Sequence, residues 1–144
     1  MSKKIWHQLN GNDLYAVVDA TNELAVFTNF LSNTSTTTLS ASKRIAIEGI
    51  VRTHGITYDA GSDVLVMTDI ALASNGQDDG GFHVIENFTN KLNSTANGAT
   101  LAMSSQIRVA GSATMLGNPV DVAYDADTET VYIAEAGNGG GRIL

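Results

Sequence analysis

Apolar positions along this chain come in short runs rather than at helical spacing. LYAVV (14–18), ELAVF (23–27), RIAI (44–47), HGITY (54–58), DVLVM (63–67), FHVI (82–85), VDVAY (120–124) and TVYIA (130–134) are separated by clusters of Gly, Asn, Asp, Ser and Thr. Runs of four to eight residues bounded by such turn formers predict β-strands. No stretch of useful length places apolar residues at i, i+3, i+4 and i+7, so no helix is expected.

The runs repeat. DATNELAVFTN (19–29), DAGSDVLVMTD (59–69) and DADTETVYIAE (125–135) align without gaps. Each opens Asp-Ala, carries an acid at its fifth position (Glu23, Asp63, Glu129) and closes on a polar residue (Asn29, Asp69, Glu135). A short strand precedes each copy. KRIAIEG (43–49) and SQIRVAG (105–111) form a second repeating element, with KKIWHQLNG (3–11) as a looser copy. Each unit reads strand, Asp-Ala turn, strand, variable segment, strand. The second strands are apolar at most positions, as strands covered on both faces require.

Repeated sets of four short antiparallel strands are the pattern of β-propeller blades. The expected architecture is therefore all-β. Three four-stranded blades, about 12–49, 50–111 and 112–144, form half of a six-bladed propeller within one domain. Strand 3–9 is expected to complete the third blade. Three blades cannot close a ring, and their end faces would be exposed, which predicts a homodimer with two-fold symmetry. A fragment of a longer propeller, without activity of its own, is the alternative to self-assembly.

Composition narrows the function. The 144 residues carry a net charge of −7, with eight Lys and Arg against fifteen acids. No basic stripe is available for nucleic acid or for anionic membranes. The absence of Cys removes thiolate chemistry and Cys-based zinc sites. No signal peptide and no spanning helix are legible, so a soluble chain is expected. Its compartment is left open, because secretion after removal of a signal would give the same chain.

GNPVDVAYDADTETVYIAEAGNGGGRIL (117–144) resembles the NHL repeat at Pro119, Asp125, Val131, Tyr132, Ala134, Gly137, Asn138, Arg142 and Ile143. It departs from that pattern at Glu135, where Asp is usual, and in the three glycines before Arg142. The second unit keeps His54-Gly55, Tyr58-Asp59 and Thr68-Asp69, with a long insertion. The resemblance implies a propeller and includes scaffolds, receptors and enzymes, so it leaves function open.

Four residues are channel or ligand candidates. The resemblance places His54 at the start of an innermost strand near the channel mouth, where a metal-dependent lyase of this type would hold an ion. One imidazole is too few for a zinc site, which makes a polar channel lining the simpler role. Asp69, Glu135 and Asn29 end equivalent strands. Their residue types are similar to the Glu, Asn and Asp that calcium-dependent six-bladed lactonases use in the channel, although strand ends of any propeller carry polar residues. Asp78 and Asp79, in SNGQDDGGF (74–82), supply oxygen ligands on a Gly-rich loop of the kind Ca2+ prefers, without the spacing of an EF-hand. No catalytic triad motif occurs. The expected function is a non-catalytic binding or interaction scaffold, with segments 70–81 and 89–104 as the first places for a ligand. A metal-dependent lactonase or lyase in the channel is the alternative.

Overall fold

A computed structural model describes residues 6–35, 38–72, 74–75 and 78–144. Every predicted run forms a strand, and the strands assemble into three mainly antiparallel sheets. The first sheet has the order β1 (His7–Asn10), β2 (Asp13–Val18), β3 (Glu23–Phe27), β4 (Lys43–Ile47), β8 (Thr100–Leu101). The second has β5 (Thr53–Asp59), β6 (Val64–Asp69), β7 (Gly81–Ile85), β9 (Ile107–Ala110). The third has β10 (Pro119–Asp125), β11 (Thr130–Glu135), β12 (Arg142–Ile143). Among the described residues these sheets do not close into a ring.

The sheets stack face to face because β6 is apolar on both sides. Leu65 and Met67 point toward the first sheet and pack with Tyr15, Val17, Leu24, Val26, Ile45 and Ile47. Val64 and Val66 point the other way and pack with Val122 and Ile133. The period of two in a strand divides one apolar run between two cores. Close approach of β5 to β10 requires Gly55: a Cβ there would lie 2.7 Å from Asp121 Cα.

The repeat is visible in backbone detail in the second and third units. Both first strands bulge at equivalent places, between Thr53 and Ile56 and between Pro119 and Asp121. Both hairpins end at the Asp of Asp-Ala (Asp59↔Val64, Asp125↔Thr130), and the fifth-position acids Asp63 and Glu129 take left-handed φ values of 54° and 51°. Asp59 accepts from the backbone N–H of Ser62, and Asp125 from that of Asp127, so these carboxylates cap the turns.

The first unit departs from that register. Val26 pairs with Tyr15, where the second unit's pairing would match it with Val17. A displacement by two leaves every side chain on its own face, so the core tolerates it. The turn chemistry explains the change. Thr21 Oγ1 donates to Val18 O at 2.6 Å and accepts from Glu23 N, while Asp19 pairs with Arg52 at 3.2 Å instead of capping.

Three other features differ from the sequence-based expectation. The described part of segment 3–9 does not lie on the third sheet. Strand β1 turns through Gly11, at φ 57°, and pairs along β2, covering that strand's inner edge. A two-residue hairpin loop with glycine first is a strong local pairing signal, and it prevails over the distant edge. The third sheet accordingly has three strands, with β12 at its edge.

Secondly, residues Phe88–Ser94 form a helix, α1. At seven residues it is too short to declare a period. Its formation depends on Phe88 and Leu92, both buried between the first two sheets, and on Asp63. Asp63 O accepts from Phe88 N, and its carboxylate accepts from the N–H and hydroxyl of Thr89 and from the Tyr58 hydroxyl. Thirdly, β8 pairs parallel to β4, so the insertion of the second unit straps the first sheet.

Asp63→Ala is expected to cost about 1–3 kcal/mol in urea unfolding, because it removes the cap of α1 and places alanine in a left-handed conformation. Asp63→Asn, which tolerates that conformation and keeps one acceptor, should cost clearly less.

Candidate functional site

Two of the strand-end candidates do the same structural work. Glu135 is 2% exposed. Its Oε2 accepts from Gly117 N at 3.0 Å, and its Oε1 accepts from Asn118 N, Gly137 N and Asn138 N at 2.8, 2.6 and 2.9 Å. One carboxylate thus ties the loop entering β10 to the loop leaving β11. Asp69 is fully buried and repeats the clamp: its Oδ1 accepts from Val51 N, Arg52 N and Ala71 N at 3.1, 2.9 and 2.9 Å. These are the loops entering β5 and leaving β6.

Asn29 does not follow. Its side chain is exposed, its φ is 54°, and its own N–H is the donor, to Asp13 Oδ1 at 2.8 Å. The acid has moved from the end of the second strand to the start of the first. The same two loops are tied with donor and acceptor exchanged.

His54 lies on β5, half-buried, with its ring 3.5 Å from that of Trp6 and Nδ1 donating to Val120 O at 2.6 Å. Val120 is its own equivalent in the third unit. The side chain therefore bridges adjacent first strands, as Gln8 Nε2 does to Ile56 O from β1 to β5 at 3.1 Å. This bridging role was not legible in the sequence, since it depends on which strands become neighbours.

Asp78 is exposed. Asp79 is half-buried and turns inward, its Oδ2 accepting from Leu72 N at 3.1 Å and so closing the loop between β6 and β7. Among the described residues, no three His, Asp or Glu side chains come together as a metal would need. No helix among them is long and apolar enough to cross a membrane.

None of the four strand-end and strand-start candidates lines the open cleft of about 360 Å3 that lies between the β1–β2 turn, the ends of β3 and β4, and α1. Its walls include Asn10, Asp13, Tyr15, Lys43, Thr89 and Asn93. The segment 89–104 therefore does reach a cleft, through the exposed side of α1. Lys43 Nζ donates to Leu92 O, which holds the ammonium over the end of the helix. Asn10 Nδ2 donates to the Tyr15 hydroxyl at 2.9 Å. Burial pushes the Tyr15 phenol up, so it stays protonated and keeps a hydrogen to donate. Carboxylate, ammonium, two amides and several hydroxyls above the apolar floor of Val26 and Leu92 suit a small polar ligand that both donates and accepts. Sequence reasoning missed Asn10, Asp13 and Lys43 because the cleft exists only once the β1–β2 turn meets the start of β4 and α1, which are remote from it in the chain. Compared with known proteins, the chain matches no family model, and no curated protein or solved structure matches it.

Proposed function

We propose that this chain is a non-catalytic binding scaffold of NHL-like propeller type, completed by a second copy of itself. The observation that carries the reading is the order of faces in the stack. The first seam joins the Leu24/Val26 face of one sheet to the Leu65/Met67 face of the next. The second joins the Val64/Val66 face to the face of Val131 and Ile133. By repeat equivalence these are the same two kinds of face, joined in the same sense.

The described row stops with one face of each kind unmatched. On the third sheet it carries Tyr132, 47% exposed, beside Ala134 and Ile143, 69% exposed. Val66, the equivalent of Tyr132, is fully buried in the second sheet. On the first sheet the outward face carries Phe27, the equivalent of Met67. Such faces suit each other across a two-fold axis, which would give six sheets. The assembly needs no exchange of β1, which stays on β2. The clamp role of Asp69 and Glu135 supports a scaffold over channel chemistry, since their carboxylates hold loops. Ligand binding is assigned to the cleft beside α1.

Multi-angle light scattering tests the assembly. A mass of twice the 15.1 kDa of one chain is expected, and Tyr132→Glu should shift it to monomer while the circular dichroism of the β-sheets is retained. A folded wild-type monomer at all concentrations would overturn the proposal.

A further inference from the structure

At one end of the seam between the first two sheets, three polar atoms are buried without a partner: Thr53 Oγ1, Asp69 Oδ2 and His83 Nε2. All three residues are 0% exposed. Strand register brings them together. Thr53 and Asp69 are directly paired, and His83 pairs with Met67, one step along the same face as Asp69. A single loop roofs them: Val51 N and Arg52 N donate to Asp69, while a Cβ on Gly49 would lie 3.3 Å from His83 Cε1.

The third unit shows that this arrangement is peculiar to the second. There, Pro119 replaces Thr53, and both oxygens of the longer Glu135 are taken by backbone N–H groups. The second unit departs in its acid and in the residue facing it at one place, and it adds a histidine.

Donor and acceptor accounting defines what fits. Gln106 Nε2 donates to Glu48 O at 2.9 Å, which turns its Oε1 toward His83 Nδ1 at 2.7 Å. Nδ1 must then carry the hydrogen, and Nε2 is left as an acceptor. Asp69 Oδ2 is also an acceptor, and the Thr53 hydroxyl can donate. Burial pushes the His83 imidazole down, against the Gln106 hydrogen bond and the charge of Asp69 and with a further push from Arg108 on β9, which favours the neutral ring.

We propose that Thr53, Asp69 and His83 form an internal hydration site for one ordered water, which donates to His83 Nε2 and Asp69 Oδ2 and accepts from Thr53. Two acceptors and one donor match the two hydrogens and a lone pair of water, and about three hydrogen bonds are usual for a buried one. The water joins β5, β6 and β7 under the loop that Asp69 clamps.

Nitrogen-15 NMR of the histidine side chains at neutral pH tests this. The expected result is a neutral His83 protonated on Nδ1, with a persistent water cross-peak to its Cε1 hydrogen. Thr53→Val should abolish that cross-peak, and Thr53→Ser should retain it. Protonation on Nε2, an imidazolium, no water cross-peak in the wild type, or a cross-peak unaffected by Thr53→Val would overturn the proposal. So would a stoichiometric metal ion on elemental analysis.

Discussion

Glu135→Ala is expected to lower the free energy of unfolding by about 3–4 kcal/mol, measured by urea denaturation. Four backbone N–H groups lose a charged acceptor at once. A buried donor left without a partner costs about 1–3 kcal/mol, and hydrogen bonds to charged groups lie at the upper end of the net range. The four costs do not sum. Asn118, Gly137 and Asn138 sit at the surface side of their loops and can recover water, whereas Gly117 N is buried. Glu135→Gln keeps one acceptor oxygen but turns an N–H2 group toward a backbone donor, and should cost about 1–2 kcal/mol. A residue retained for chemistry would respond oppositely, with stability unchanged or raised on its removal. Stability unaffected by Glu135→Ala would therefore sink the clamp and return Glu135 to the channel or ligand candidates.

A loss of similar size, about 3–5 kcal/mol, is expected for Phe88→Ala, measured as a shift in the urea midpoint. Phe88 is fully buried and stands edge-on to Tyr15, at 5.3 Å between ring centroids, and close to Tyr58, at 5.8 Å. The three rings come from α1 and from both sheets of the first seam, so the cavity opens where three elements meet. Tyr58 is held by its hydrogen bond to Asp63, and burial together with that bond pushes its phenol up. The walls are thus poorly able to collapse into the space, which places the cost toward the upper end for this substitution. Phe88→Leu should cost about 1–2 kcal/mol, because most of the volume is kept. The tyrosine signal in near-UV circular dichroism should fall in the alanine variant and persist in the leucine one. Equal, small effects for both would mean that α1 is not anchored through this ring.

The strands were legible because short apolar runs between turn formers have few other solutions. The three hairpins were legible because Asp-Ala and a fifth-position acid recur at fixed spacing. Two of the three copies keep one turn geometry and one bulge position, which a gapless alignment can convey. The first copy conveys less, since Thr21 in place of a glycine or acid supplies a rival hydrogen-bonding partner and displaces the pairing. Helix α1 was not legible. Its N–H donors are satisfied by Asp63, a residue far earlier in the chain, and local sequence does not record such a partner.

The candidate site divides in the same way. Asp69 and Glu135 stood out as equivalent acids, yet their use as loop clamps appears only when the loops entering β5 and β10 fold over them. His54 was singled out as a channel residue, and its contact with Val120 exists only because two first strands lie side by side. Segment 89–104 and Asp69 were singled out, but their companions in the cleft beside α1 and in the buried Thr53–Asp69–His83 group had no sequence signal, because each gathers side chains from three or more elements.

By itself the sequence determined strand positions, hairpin turns and the period of two that apportions β6 between two cores, all of which are properties of neighbouring residues. Tertiary structure alone decided which edge β1 takes, which carboxylates are consumed by backbone donors and which polar atoms stay unpartnered. Those outcomes depend on distances between residues remote in the chain, and buried hydrogen bonding is settled only when such residues meet.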